Sequence, residues 1–506
     1  MTVLPDWLDP LYTADEMRAC DRWAIEEAGV SSGDLMDHAS LALARLTAQL
    51  ALPGLPIRIA VGAGNNGGDG LAAARLLREE GREVDVLAVA PLDGLGGDAR
   101  RELDRLPGAA PRPFDAADLT GSGAVVDAML GTGFSGEPRE PVAAAIAAIN
   151  GQGAPVIACD VPSGVDASTG EVGADAVCAA ATVTFHGPKI GLHVAPGATH
   201  VGELTVAAIG IPRGGPSAGK AGLISERVLD LFPRRRRYGT KFDSGVVAIA
   251  GGARGMTGAP AMAALAAARA GAGYVQVAVP ETVVPALELR LLEQMTRGLA
   301  ESDGTHSLEG VEGFVELTRR AGAAVLGPGL DRSEAAVAFA RAAAAEIDVP
   351  LVVDADGLNA HAGALESLRE RTAPTVLTPH SAELGRLLER ETAEVDAHRL
   401  ACAREAADRS GAVVLLKGDD TIVAAPGGPF VISPGATPAL ATAGTGDVLS
   451  GLLGTLLAKG LDPFTAAALG AVAHVRAGRA AAKRHGADHV IAGDVIDALP
   501  DGLRSL

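Results

Sequence analysis

At 506 residues, with 48% hydrophobic side chains, 3% aromatics and 65 glycines, the chain has the make-up of a soluble α/β protein with more than one core. A net charge of −19 excludes a general nucleic-acid binder, whose affinity would rest on neutralising phosphates. Apolar runs are broken by Gly, charge or Pro before they reach membrane-spanning length, and the start "MTVLPDWLDP" has no basic-then-apolar leader. Cys20, Cys159, Cys178 and Cys402 show no Cys-x-x-Cys or Cys/His metal spacing, so the expectation is a reduced, cytoplasmic protein without structural zinc.

In the first half, "IRIAVG", "VDVLAVA", "AVVDAML", "PVIACDV", "ATVTFH" and "ELTVAAIG" read as strands alternating with Ala-rich helices. Their near-continuous apolar character suits a mostly parallel sheet covered on both faces, where ligands bind beyond the strands' carboxyl ends. After the first strand, "GAGNNGGDG" (Gly62 to Gly70) leads into a helix and satisfies G-x-G-x-x-G, a weak signal alone. A redox dinucleotide site would want an acid ending the next strand, but that strand closes on Ala90 and Pro91. Asn65, Asn66 and Asp69 instead offer oxygen and amide groups at a helix start. Asp127, then Asp160 and Ser163, follow later strands, and such oxygen groups suit a hard cation such as K⁺ or Mg²⁺, with one carboxylate free to shuttle a proton. Lys189, after "TVTF", reads equally as surface charge or ligand contact.

"GIPRGGPSAGKAG", Gly210 to Gly222, is the clearest linker, and domains of 1–214 and 215–506 are expected. The short basic run Arg234 to Arg237 beyond it reads as a solvated surface or an interdomain contact rather than a nucleic-acid site. The second half repeats the strand pattern in "GVVAIAGG", "YVQVAVP", "AAVLGPG", "PLVVDAD", "TVLTPH" and "AVVLLKG". "VVLLKGDDT" ends a strand with Lys417, Gly418, Asp419, Asp420 and Thr421, groups suited to a nucleotide, although the two Asp read equally as turn residues or Mg²⁺ partners. In "AGTGDVLSG", Gly444 and Gly446 flank a Thr and leave backbone N–H groups uncovered at a helix start, with Asp447 placed to take a proton. The same stretch also reads as a tight turn capping a buried helix.

"GNNGGDG", "DAMLGTG" and "DVPSG", in this order, resemble the YjeF N-terminal domain, the NAD(P)H-hydrate epimerase, over roughly residues 10 to 212. The resemblance implies a Rossmann-like three-layer fold in which Asn65, Asn66, Gly67, Gly68 and Asp69 line the hydrated-nucleotide site. Gly131, Thr132, Gly133, Phe134, Ser135, Gly136 and Glu137 would line it too, with Lys189 nearby. It further implies K⁺ ligation by Asn66, Asp127 and Ser163, and Asp160 as the substrate contact that moves the proton.

"GGARGMTGAPAMAA", "GPGL", "TPHSAEL" and "AGTGDVLSG" resemble the YjeF C-terminal domain, the ADP-dependent NAD(P)H-hydrate dehydratase of ribokinase-like fold, over about residues 222 to 503. This implies hydrate contacts from Ala259, Gly329, His380 and Asp447, and ADP contacts from Lys417 to Thr421 and Gly446, with Mg²⁺. The substrates implied are NADHX, NADPHX and ADP, and a homo-oligomer is expected. The competing reading is a vitamin-precursor kinase fused to a nucleotide-binding module without turnover.

Overall fold

The computed structural model describes residues 4–505 apart from 213, 217, 218 and 220, so part of the Gly210 to Gly222 linker lies outside the described residues. Two units are resolved: residues 10–221 form the first, and Gly222 onward, joined by residues 5–9, forms the second. The strand β1 (Leu8–Pro10) therefore contributes mainly to the second unit, at the edge of its sheet.

The first unit is built on β2 (Ile57–Val61), β3 (Val84–Ala88), β4 (Arg112–Pro113), β5 (Ala124–Ala128), β6 (Val156–Cys159), β7 (Ala181–Phe185) and β8 (Glu203–Ala207). Their spatial order is β4-β3-β2-β5-β6-β7-β8, and every pairing is parallel. Side-chain alternation divides the core into two. Ile57, Ile59 and Val61 face one apolar cluster with Leu43, Leu71 and Leu77 of the helices Ser32–Leu50 and Asn65–Glu79. Ala60, Leu87 and Val125 face another with Ile146 and Ile149 of the helix Val142–Asn150. Helix, sheet and helix thus make three layers. The chain order reverses between β2 and β5, and ligands of such sheets bind beyond the strand ends at that point.

The second unit carries β9 (Ala221–Ile224), β10 (Val246–Ala250), β11 (Tyr274–Pro280), β12 (Met295–Leu299), a small antiparallel pair of β13 (Glu301–Ser302) with β14 (Thr305–His306), and β15 (Ala323–Leu326). It continues with β16 (Leu351–Val353), β17 (Thr375–Leu377), β18 (Val413–Leu416), β19 (Ile422–Ala424) and β20 (Phe430–Ile432). Eleven strands form one sheet in the order β1-β9-β20-β19-β18-β17-β16-β15-β10-β11-β12. The run from β18 to β12 is parallel, while β18-β19 and β19-β20 are antiparallel. The α/β class expected of both halves is the one observed. Among the described residues no helix is long and apolar enough to cross a membrane.

Candidate active sites

In the first unit the Gly-rich turn after β2 is compressed. A Cβ on Gly62 would lie 2.1 Å from the Met129 carbonyl oxygen, and one on Gly67 would lie 2.0 Å from that of Gly62. Only glycine lets the start of helix Asn65–Glu79 sit this close to the end of β5. The closeness brings Asn66 to the neighbouring strand, where its Nδ2 donates to the Leu130 carbonyl at 2.7 Å. Gly67 and Gly68 are buried in the first helical turns, and Asn65 stays exposed.

Asp127, near the end of β5, is fully buried. It accepts from the Ser163 amide (2.7 Å), the Ser163 hydroxyl (2.6 Å) and the Met129 amide (3.2 Å). Burial pushes its pKa up to about 6 against the pull of these donors. The Ser163 hydroxyl in turn accepts from the Leu130 amide at 2.9 Å. Asn66, Asp127 and Ser163 therefore meet around Leu130, and the oxygens gathered there have the hard character that suits K⁺. Ser163 Oγ can keep donating to Asp127 while a lone pair faces a cation, so the residues fit such an ion.

Asp160 follows β6 in a left-handed conformation, φ 66°. Its Oδ1 accepts from Lys189 Nζ at 2.6 Å, Thr184 Oγ1 at 3.0 Å and the Phe185 amide at 3.3 Å. Lys189 is 1% exposed and also donates to Thr184 Oγ1 and the Phe185 carbonyl. A buried ammonium of this kind is a built feature, not surface charge. Among the described residues the donors engage Oδ1, which leaves Oδ2 for a substrate. Asp69, enclosed by protein although one edge meets solvent, has its pKa driven well above the carboxylate range by burial and then by the charges of Asp160 and Asp21. Asp21, on the helix Ala14–Glu26, is itself raised by burial, with Lys189 opposing. Asp21 and Thr184 are missed by sequence reasoning, because nothing local ties either to Asp160. Residues 131–137 form the partly exposed turn beyond β5, with the Phe134 amide closing on the Gly131 carbonyl at 3.1 Å.

In the second unit the ends of four neighbouring strands supply the site. Asp354 after β16 is 2% exposed; its Oδ1 accepts from Lys417 Nζ (3.0 Å) and Thr378 Oγ1 (2.8 Å), and its Oδ2 from Ser450 Oγ (2.6 Å). Lys417, after β18, also lies 3.7 Å from Glu383 Oε2. His380, after β17, caps the helix Ser381–Leu388, where its Nδ1 accepts from the Ala382 amide and its own amide donates to Glu383. Gly329, after β15, has φ 63°, and its place beside Ala259 is so tight that a Cβ would lie 3.2 Å from Ala259 Cβ.

The "AGTGD" turn is drawn together by Thr445, whose hydroxyl donates to the Leu440 (2.8 Å) and Thr442 (2.9 Å) carbonyls. Gly444 takes φ 91° where a Cβ would collide with Met262 Sδ at 2.6 Å. The first amides of the helix Thr445–Ala458 are thereby left without intrahelical acceptors. Burial and then the Asp354 charge push Asp447 up to about 7, with Lys417 pulling it down. A cavity of about 530 Å³ adjoins the turn, lined by Lys417, Gly418, Asp419, Thr421, Gly446 and His474 among others. Asp420 is absent from that lining and is held by Arg399, with Nη2–Oδ1 at 2.8 Å and Nε–Oδ2 at 3.0 Å. Asp419 Oδ1 accepts from the Ala436 amide at 2.9 Å, which ties down the opposite wall. Asp354, which directly follows the strand residues "LVV", was not singled out in the sequence, because its partners Thr378, Lys417 and Ser450 lie 24 to 96 residues away.

Residues 32–191 match the family model described as YjeF-related protein N-terminus, and residues 247–501 match NAD(P)H-hydrate dehydratase. The bifunctional NAD(P)H-hydrate repair enzyme of Salinibacter ruber is 40% identical over 526 aligned positions, covering 97% of this chain and 95% of that protein. Its counterpart in Moorella thermoacetica is also 40% identical, covering 98% and 97%. A crystal structure of the ADP/ATP-dependent NAD(P)H-hydrate dehydratase from Bacillus subtilis with ATP and Mg²⁺ is 28% identical, with a TM-score of 0.48, over 55% of this chain and 96% of that one. The chain belongs to the bifunctional NAD(P)H-hydrate repair enzymes.

Proposed function

We propose that the two cores divide the repair reaction between them, the first interconverting the R and S forms of hydrated NADH and NADPH and the second dehydrating the S form at the expense of ADP. The observation that carries this reading is Asp447 facing Lys417 and Asp354 beside a nucleotide-sized cavity.

In the first unit Asp160 takes the proton of the C6 hydroxyl through Oδ2, while Lys189 and Thr184 hold Oδ1 still. With the hydroxyl deprotonated, the C6–N bond of the ring opens to an aldehyde, the carbon turns, and reclosure on its other face returns the proton. Asn65 to Asp69 and residues 131–137 bind the nucleotide. K⁺, held by Asn66, Asp127 and Ser163, would supply positive charge that fixes this turn against β5.

In the second unit Asp447 removes the proton from the C6 hydroxyl, whose oxygen attacks the terminal phosphorus of ADP and releases AMP. The uncovered amides at Gly444 to Gly446 and the Lys417 ammonium stabilise the transferring phosphoryl. Hydroxide leaves carbon poorly and phosphate leaves well, so the ring nitrogen's electron pair then expels phosphate, and loss of a ring proton restores the reduced nicotinamide. Ala259, Gly329 and His380 border the hydrate, and Gly418, Asp419 and Thr421 border the nucleotide. Mg²⁺, which screens phosphate charge, would be held mainly by the nucleotide, with Glu383 and Asp447 the carboxylates facing it. Asp420 acts through Arg399, shaping the Lys417 turn. The enzyme is a cytoplasmic homo-oligomer in this reading, and its thiols Cys20, Cys159, Cys178 and Cys402 are unpaired.

The test is to mix NAD(P)H hydrate with ADP and Mg²⁺ and follow recovery of the reduced-nicotinamide absorbance. A stable phosphorylated product, without recovery, would point to a small-molecule kinase instead.

A further inference from the structure

A cavity of about 810 Å³ in the first unit has no part in the chemistry above. It lies beyond the carboxyl ends of β3 and β4, with Pro91, Leu92, Phe114 and Pro141 among its walls and Asp93 and Asp115 at its rim. Asp160 and Lys189 sit on the other side of the β2/β5 reversal, after β6 and β7. The two places therefore occupy opposite halves of one sheet edge. From β3 to β6 is three strand spacings, about 14 Å, and from β4 to β6 four, about 19 Å. Between them stands the start of the helix Asn65–Glu79, whose uncovered amides suit a pyrophosphate.

A hydrated dinucleotide with its altered ring at Asp160 must send its adenosine somewhere. Laid along this edge it crosses the helix start and reaches the cavity, as dinucleotides do on sheets of this order. The apolar walls suit the flat faces of a purine. The rim decides which dinucleotide. Asp93 is an exposed carboxylate, and Asp115, which also accepts from the Ala117 amide at 2.9 Å, is another. Among the described residues no Lys or Arg lines the cavity. Carboxylates accept hydrogen bonds from ribose hydroxyls and repel a 2′-phosphate, which needs a guanidinium or ammonium partner. We propose that this cavity is the adenosine subsite of the epimerase and that its acidic rim favours hydrated NADH over hydrated NADPH. This deepens, and rests on, the epimerase reading of the first unit.

The test uses the full chain without ADP and follows epimer exchange by NMR. Its substrates are hydrated NADH, hydrated NADPH and the hydrate of reduced nicotinamide mononucleotide, which lacks the adenosine. The KM for hydrated NADPH should exceed that for hydrated NADH by about tenfold, and Asp93→Arg should close or reverse the gap. Ala144→Trp, at an exposed helix position lining the cavity, should raise the KM for hydrated NADH by about tenfold and that for the mononucleotide hydrate by less than about twofold. Equal KM values for the two dinucleotide hydrates, or an Ala144→Trp effect of the same size on dinucleotide and mononucleotide, would overturn the assignment. Because both substituted positions are exposed, folding is not at stake. Absence of exchange with all three hydrates in the unaltered chain would sink the epimerase reading, and the subsite with it.

Discussion

At Asp447 burial and the neighbouring Asp354 carboxylate push in one direction, and the resulting pKa of about 7 suits a base that must be free near neutrality. Below that value the carboxyl holds a proton and cannot take another, so kcat/KM for dehydration should climb with pH and level off above about 7. Asp447→Asn should remove this limb and cut turnover by about 10²- to 10⁴-fold with little change in ADP affinity. A variant with near-normal turnover would take Asp447 out of the mechanism. Stability runs the other way. The folded pKa lies above the unfolded value of 3.8, so the group's contribution is full below about pH 4 and is lost as pH rises through about 7. The Asn variant should therefore melt higher than the parent at pH 8, a comparison calorimetry makes directly. In the first unit, Asp127→Ala would strand the Ser163 and Met129 amides, at a cost on the order of 1–3 kcal/mol. Epimerisation should then fall and lose its response to K⁺, while dehydration of the S form stays intact. An unchanged K⁺ response would place the cation elsewhere.

Helix packing delivers Asp447 to its place. A Cβ on Gly451 would lie 2.0 Å from the Ala263 carbonyl oxygen, so helix Thr445–Ala458 rests directly on helix Gly258–Arg269, which also carries Ala259. Gly451→Ala must push the two apart, costing on the order of 1–3 kcal/mol. Dehydration should suffer beyond that loss of stability, because base and hydrate contacts move relative to each other, while epimerisation should not change. Parallel loss of both activities would show that the damage is not local. The long buried strands were legible in the sequence because their apolar runs announce burial on both faces. The short ones were not. Arg112–Pro113 is two residues and exposed, and Met295–Leu299 is a sheet-edge strand with Thr, Arg and Gly in it. Site legibility follows a similar rule. Glycine turns and strand-end acids carry a local signature, so the residues placed to touch substrate stand out in the sequence. Lys189 carries no such signature, because its buried role depends on Asp160, 29 residues distant, and on Thr184. The cavity beyond β3 was invisible for the same reason: the sequence ended that strand on Ala90 and Pro91, while the rim acids Asp93 and Asp115 come from two separate loops.

On the scale of the whole chain, each proposed chemistry draws its groups from one unit. Asp127, Asp160 and Lys189 lie within residues 10–221, whereas Asp354, Lys417 and Asp447 lie after Gly222. The strand at residues 8–10 complicates a simple cut at the linker, since residues 5–9 pack with the second unit and a fragment starting after the linker would lack them. Two full-length variants avoid that difficulty. Asp447→Asn keeps the first site, and Asp160→Asn keeps the second. Supplied with an epimer mixture, ADP and Mg²⁺, the Asp160→Asn chain should consume about half and then slow to the spontaneous epimerisation rate, and the Asp447→Asn chain should consume almost none. Mixed at equal concentration, they should carry the reaction to completion as fast as the parent at the same concentration of each site. That outcome follows if the epimer leaves one unit and reaches the other through solution. A mixture that consumed both epimers markedly more slowly than the parent would mean that the hydrate passes between sites of the same chain. Rapid consumption of both epimers by the Asp160→Asn chain alone would remove Asp160 from the epimerase.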